Sequence, residues 1–330
     1  MKTVGIVGAG FISHKHASGM MEFDNVRLGG VADIDAEKQN QLISQYGGTA
    51  YQSFEDMLAD PKIDIIDICL PTPLHHRFAM QAIKEHKAVL LEKPIALSYE
   101  EAKAIAEAAK KENVPFMVGQ SLRFKPEYMA AKSILESGII GTAKRVYAAR
   151  LGQKPSWRNW TNGVRKTADV VYDLMLHDVD FAYSLFGNAE SVFAVGTGIS
   201  ADECESVSAT VQFSNGVAAV FDANTGMPQG YPFTMCLRID ATGGTLEYRF
   251  IGGKNTEICK ESELILYAEG KDPEVISCQT FSNHGKELSY FAECIDKGVA
   301  PEMCLPEESV NVMHIMDGIS SSINKGYVKL

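Results

Sequence analysis

The sequence predicts an α/β protein of two domains: an amino-terminal, doubly wound parallel sheet, then an α+β domain with a mostly antiparallel sheet. Three observations predict it. Residues 1–120 alternate near-continuous apolar strands with amphipathic helices, the pattern of parallel strands covered on both faces. A glycine-rich turn, "GAGFIS" at 8–13, joins the first strand to the first helix. Beyond residue 120 the strands lengthen and alternate apolar with polar residues, as strands covered on one face do.

In order, "KTVGIVGAG" is an apolar run closing in glycines, and a helix follows from about Ile12 to Glu22. "VRLGGVAD" is a second strand, "AEKQNQLISQYG" a charged helix and "TAYQS" a short strand. "FEDMLAD" reads as a short helix, "IDIIDICLP" as a β-branched strand, "HHRFAMQAIKEH" as an amphipathic helix and "AVLLEKP" as a buried strand. "SYEEAKAIAEAAKKENV" opens with a capping box, Ser98 to Glu101, whose side chains can satisfy backbone N–H groups at the helix start. "PFMVGQ" closes the series.

Further on, "AKRVYAARLG", "ESVFAVGTG", "ESVSATVQFSNGVAAVFDANTG" and "FTMCLRIDATGGTLEYRF" are alternating strands, with "SNG" as a hairpin turn. Helices are expected at about 126–137, 171–186, 286–297 and 307–325. The texture changes at Gln120–Phe124, so the expected domains are 1–122 and 123–330.

The 330 residues are 45% apolar and 22% charged, without low-complexity tracts. A formal charge of −11 argues against nucleic acid or anionic membrane as a partner, while leaving a small anionic substrate open. Seven cysteines (Cys69, Cys204, Cys236, Cys259, Cys278, Cys294, Cys304) are scattered singly, as free thiols in a reducing cytosol are. The amino terminus shows no secretory core and no apolar run is long enough to span a bilayer, so a soluble, cytoplasmic protein is expected.

A glycine turn between strand and helix can lay a pyrophosphate against the helix amino terminus, where unpaired N–H groups favour anions. Gly8 permits the tight turn and Gly10 the approach of phosphate, while Ser13 stands where the usual fingerprint has its third glycine. Asp33 ends the second strand, where a carboxylate accepts from ribose hydroxyls and repels a 2′-phosphate. Neither Ile34 nor Asp35 supplies an arginine for that phosphate, which favours NAD over NADP. His75 in "LPTPLHH" follows a strand's carboxyl end, the ligand-binding edge of such sheets, and is expected to border the cofactor. His14 and His16 read as packing or surface residues of the first helix, and His76 as exposed.

"LLEKP" puts Glu92 and Lys93 at the end of a buried strand. They form either a strand-end ion pair or a site where the lysine stabilises developing alkoxide charge. "YDLMLHDVDF" (172–181), wound at about 100° per residue, aligns Asp173, His177 and Asp180 in one stripe of an apolar helix. The stripe is an acid/base set, a metal site lacking a convincing fourth ligand, or a charged seam, and Asp178 projects elsewhere as a structural residue. Trp157, Arg158, Trp160 and Arg165 cluster in "GQKPSWRNWTNGVRK". They suit a sugar face read by arginine, or equally the packing of a loop or subunit contact.

Taken in order, "GIVGAGFIS…HA", "VAD", "CLPTPLH", "EKPIAL", "VGQSLRF" and "DLMLHDVD" resemble the glucose–fructose oxidoreductase/inositol dehydrogenase/rhizopine-catabolism (Gfo/Idh/MocA) family. The likeness extends to "SGIIGTAKRV", "FSNGVAAV", "TGGTLEY" and "GISSSINKGYVKL". It implies a Rossmann domain and an open-faced antiparallel α/β domain, assembled as a homodimer or homotetramer through that sheet. It also implies hydride transfer between nicotinamide and a secondary hydroxyl or ketone of a sugar, cyclitol or derivative, with no metal.

Lys93 matches the family's catalytic lysine, with a cis bond to Pro94 expected; His177 matches its acid/base and Asp173 the preceding aspartate. Cofactor contacts are implied at Gly8, Gly10, Phe11, Ile12, Asp33, Ile34, Leu70, Pro71, Thr72, His75, Glu92, Lys93 and Gln120. Substrate contacts are implied at Arg123, Trp157, Asp173 and His177. Where the family often has a glycine pair before "DxxxHD" this chain reads "KTADVVYD", so the pocket floor near Ala168 and Asp169 is expected to differ in shape. Two alternatives stay open: redox-neutral chemistry on tightly held NAD, and a nicotinamide-binding regulator that would need no proton relay.

Overall fold

The computed structural model of the chain describes residues 1–154, 170–198, 204–253 and 261–330. Trp157, Arg158, Trp160, Arg165, Ala168, Asp169 and Cys259 lie outside the described residues. The chain forms two compact units, Met1–Lys125 with Thr280–Val310, and Pro126–Gln279 with Asn311–Leu330.

In the first unit β1 (Lys2–Val7), β2 (Val26–Ala32), β3 (Thr49–Tyr51), β4 (Ile65–Ile68), β5 (Ala88–Glu92) and β6 (Phe116–Gly119) form a parallel sheet. The order is β3-β2-β1-β4-β5-β6. Between them run α1 (Phe11–Met20), α2 (Ala36–Tyr46), α3 (Phe54–Ala59), α4 (His75–Lys84) and α5 (Tyr99–Lys111). Every residue of β4, β5 and β6 is buried, so their continuous apolar runs reflect cover on both faces. The order reverses between β1 and β4, and the carboxyl ends of those two strands are the switch point where doubly wound sheets bind ligands. The capping box is present: the Ser98 hydroxyl accepts from Glu101 N–H and starts α5.

The second unit holds β7 (Ala143–Leu151), β8 (Ala189–Thr197), β9 (Ser206–Phe213), β10 (Ala218–Asn224), β11 (Thr234–Ala241), β12 (Gly244–Ile251), β13 (Glu261–Ala268), β14 (Glu274–Val275) and β15 (Val328–Lys329). They form one sheet in the order β14-β13-β12-β11-β7-β10-β9-β8-β15. Of its pairings only β7–β10 is parallel. Alternate residues of β9 and β10 are buried. The register runs a row across the other face: Phe193, Thr210, Val220, Tyr147, Arg238, Glu247 and Ile265, none of them buried. The sheet is open on that side.

Its helices are α6 (Pro126–Glu136) and α7 (Leu176–Phe186). The predicted 171–186 helix is not uniform, because Val171–Met175 wind as a π turn before α7 begins. The wider i→i+5 winding changes the phase that a regular 100° step assumes. Asp173 is thereby offset from the 100° position relative to His177 and Asp180; Asp173 and His177 are half-buried, while Asp180, on the same regular helix as His177, is fully buried.

The expected second domain, 123–330, is also interrupted, because residues 280–310 belong to the first unit. They carry α8 (Asn283–Lys297), which packs on α1, and the start of α9 (Pro306–Lys325), whose remainder lies in the second unit. Leu288, Phe291 and Ala292 of α8 join Val4, Ala17 and Met20 in one core. The helices meet at glycines: a Cβ on Gly285 would sit 2.2 Å from the Gly19 carbonyl oxygen. The Cys304 carbonyl then accepts from Val118 N–H of β6 at 2.9 Å. Pairing between such distant segments leaves no mark on local periodicity, so the boundary reading missed it.

Candidate active site

The glycine loop between β1 and α1 is shaped by close approach. Gly8 has φ +97°, and a Cβ there would lie 2.5 Å from the Cys69 carbonyl oxygen, so only glycine fits where the loop passes the end of β4. At Gly10 the reverse holds: a Cβ would meet no atom within 4 Å. Gly10 also caps α1 without a side-chain bond, leaving helix N–H groups available to an anion. Buried Ser13 donates to the Gly8 carbonyl at 2.7 Å, a tie that the usual third glycine could not make.

Asp33 has a second duty beyond the one read from the sequence. Its two carboxylate oxygens accept from Ala9 N–H at 2.6 Å and Asp35 N–H at 2.7 Å, so it anchors the glycine loop while keeping a lone pair on each oxygen. Phe11 and Ile34, each just beyond the end of a strand, are exposed apolar side chains.

Leu70, Pro71 and Thr72 lead from β4 into a 3-10 turn, Thr72–Leu74. His75, expected to border the cofactor, is instead a buried brace. Its Nδ1 lies 2.8 Å from the Pro94 carbonyl and its Nε2 2.7 Å from that of Leu70. Burial holds the ring below its ordinary range, and a neutral ring donates to one carbonyl at a time.

The Lys93–Pro94 bond is cis, as the resemblance implied. Lys93 is half-buried, and its backbone N–H donates to Glu92 Oε2 at 3.0 Å. The other Glu92 oxygen meets His16 Nε2 at 3.0 Å, and His16 Nδ1 meets Asp67 Oδ2 at 2.8 Å. Burial alone would push His16 down, but the Asp67 charge and hydrogen bond hold it well above the ordinary range. Burial would likewise raise Glu92, and the hydrogen bond and charge of His16 bring it below the usual carboxylate range.

Cys69, its thiol pushed up to about 12 by burial and then Asp67, donates to Asp67 Oδ1 at 3.4 Å. His284 of α8 faces His16 with ring centroids 5.1 Å apart, and burial and then the His16 charge push it down to about 3. The sequence reading missed this cluster, taking His16 for a packing or surface residue. One signal was present: Asp67 stands alone in an apolar strand, and a buried carboxylate needs a partner.

Gln120 follows β6 and is buried, with its Oε1 unpartnered. Arg123, implied as a substrate contact, is buried and donates to Glu308 Oε2 at 2.8 Å, an ion pair within the first unit. In the second unit Asp173 sits in the π turn and His177 in the first turn of α7. Asp178 is structural, paired to Arg150 of β7 at 2.8 Å with both groups buried. The implied cofactor residues thus collect at the carboxyl ends of the parallel strands, and Asp173 and His177 sit in the π turn and the first turn of α7 in the other unit.

A profile described as "Oxidoreductase family, NAD-binding Rossmann fold" (GFO_IDH_MocA) matches residues 2–120, and the GFO/IDH/MocA C-terminal domain matches residues 128–247. The chain belongs to the Gfo/Idh/MocA family. It is similar to scyllo-inositol 2-dehydrogenase (NAD(+)) of Bacillus subtilis, 26% identical over 324 residues that span 93% of this chain and 90% of that protein. Glucose-6-phosphate 3-dehydrogenase of Bacillus subtilis is 30% identical over 192 residues, 56% of this chain and 54% of that protein. The aldose-aldose oxidoreductase of Caulobacter crescentus shares the fold with a TM-score of 0.86 and 20% identity, over 100% of this chain and 99% of that one. As a Gfo/Idh/MocA member the chain is an oxidoreductase whose parallel sheet is an NAD-binding Rossmann domain. No helix among the described residues is long and apolar enough to cross a membrane.

Proposed function

We propose that this protein is an NAD-dependent dehydrogenase or reductase that moves a hydride between nicotinamide and a secondary hydroxyl or ketone of a sugar, cyclitol or derivative. The observation that carries this reading is the cradle at Gly10, a bare helix start at the switch point of the sheet with no atom where a Cβ would lie. The residues present fit the cofactor. Backbone N–H groups at Gly10, Phe11 and Ile12 would hold its pyrophosphate, and Asp33 its ribose hydroxyls. Gln120 Oε1, buried without a partner, would accept from an amide N–H. Exposed Ile34, in place of an arginine, favours NAD over NADP.

Bound, the cofactor accepts or supplies the hydride. The chain's own residues manage the proton and the charge. His177 takes the hydroxyl proton, since an imidazole titrates near neutrality and works in both directions. Asp173, four residues earlier, supports that imidazole or binds a neighbouring hydroxyl. The Lys93 ammonium hydrogen-bonds the reacting oxygen and stabilises its developing negative charge.

A screen of sugars, sugar phosphates, sugar acids and cyclitols with NAD and NADP, followed at the reduced-nicotinamide band, tests the reading. His177→Ala and Lys93→Ala are each expected to lose roughly 10²–10⁴-fold in kcat, with NAD affinity by calorimetry retained. Near-normal turnover in either variant removes that residue from the chemistry.

The same reading makes the protein a cytoplasmic homodimer or homotetramer, joined through the open face that exposes Phe193, Val195 and Tyr267. Light scattering after size exclusion is expected to return a dimer or tetramer mass; a monomer rejects the assembly.

A further inference from the structure

A line of hydrogen bonds runs from the core of the first unit to Lys93. Asp67 Oδ2 faces His16 Nδ1, His16 Nε2 faces Glu92 Oε1, and Glu92 Oε2 accepts from Lys93 N–H. Asp67, His16 and Glu92 are all buried, on β4, α1 and β5. A neutral imidazole offers one N–H and one lone pair, so it cannot serve two carboxylates, and a lone pair aimed at a carboxylate oxygen is repelled. With both nitrogens on carboxylates, the ring is an imidazolium whose two charge-assisted bonds fix its rotation. Asp67 is held in turn by the Cys69 thiol. The proposed mechanism uses neither Asp67 nor His16.

We propose that His16 is a positioning residue for Lys93, acting through the Glu92 carboxylate. The inference rests on the reading of Lys93 as the group that contacts the reacting oxygen. The β5–β6 ladder ends at the Glu92–Gly119 pair, and the next N–H, that of Lys93, bonds a side chain instead of a strand. A carboxylate free to rotate would leave that peptide unit loosely held. His16 pins one Glu92 oxygen, so the other stays on the Lys93 N–H and fixes the direction in which the lysine leaves the strand. The same cluster offers metal-ligand atoms, from His16, Glu92 and His284 or from His16, Asp67 and Cys69, within 4.8 Å of one another. A bound metal would take a His16 nitrogen from its carboxylate, so metal content belongs in the test.

The sequence contains two Glu–Lys peptide bonds, 37–38 and 92–93. Full-length protein labelled with carbonyl-13C glutamate and 15N lysine therefore gives two signals in a carbonyl-edited amide spectrum, from Lys38 and Lys93. Lys38, on α2, reports the fold. Two variants separate the arms of the imidazole: His16→Gln keeps an amide N–H near the Nε2 position, towards Glu92, and His16→Asn keeps one near Nδ1, towards Asp67.

The Lys93 signal is expected to shift upfield in His16→Asn, to stay near wild type in His16→Gln, and the Lys38 signal to hold in both. A Lys93 signal that is the same in all three proteins overturns the proposal. Equal displacement in both variants overturns it too, because that marks lost packing alone. So does one equivalent of zinc, manganese or iron in the purified wild-type protein. If His16→Asn does not fold, Glu92→Gln interrupts the same line, and an unmoved Lys93 signal there is the overturning result. Failure of the catalytic reading shows separately, as retained turnover in Lys93→Ala, and leaves this measurement intact.

Discussion

His16 and His284 face each other with opposite demands on protons. His284 stands at about 3 in the fold against an ordinary 6.5, so it folds neutral. The stability it contributes is fully present above pH 6.5 and is lost as the pH falls towards about 3. His16 is raised, so its contribution is present below 6.5 and is lost as the pH rises through its folded value. Glu92, lowered in the fold, adds to the loss on the acid side. The groups that set this balance are Asp67 on β4 and Cys69 just after it, Glu92 on β5 and Lys93 just after it, and Lys15 beside His16 on α1. Urea midpoints between pH 7 and pH 3 are expected to fall less steeply in His284→Gln than in wild type; parallel curves would refute the neutral assignment. At this scale the sequence shows Gly8 plainly, because its role follows from a local turn, while the bond from Asp33 to Ala9 N–H, across 24 residues, is not legible in it. His16 is opaque, because its partners lie on other elements and nothing in α1 names them.

Among elements, the strands and helices of the first 120 residues stand where hydrophobic periodicity puts them, to within a few residues. Two features escape that reading. The π turn at Val171–Met175 carries no marking residue type, so an even 100° step misplaces Asp173 relative to His177 and Asp180. β14 and β15 have two residues each, too few to show any alternation. The α1–α8 crossing leaves no room for a side chain at its glycines. A methyl on Gly285 would press on the Gly19 backbone, whose atoms cannot swing aside as a flexible side chain would. Gly285→Ala is expected to cost about 1–3 kcal/mol in urea denaturation, with an unchanged midpoint showing that the helices can part without loss.

For the molecule as a whole, the change of texture at Gln120–Phe124 puts the expected boundary after residue 122, three residues short of Lys125, where the first segment of the first unit ends. It does not reveal the second, at residue 280, because composition there stays that of an ordinary α+β domain. Belonging to the Gfo/Idh/MocA family accounts for the two-part plan, with the glycine loop in one part and Asp173 and His177 in the other. The residues expected at the site stand in separate motifs, whereas Glu308, paired to Arg123, and His284, against His16, carry no such mark because both come from the returning segment.

That return has a consequence for how the protein is made. The nucleotide-binding half is encoded first, yet α1 has no cover at Gly19, and β6 no partner for Val118, until residues 285–304 have left the ribosome. The nascent Rossmann half must wait, with its core open on one side, while most of the second half is synthesised. The packing of the Rossmann unit is therefore complete only once residues 285–304 are in place.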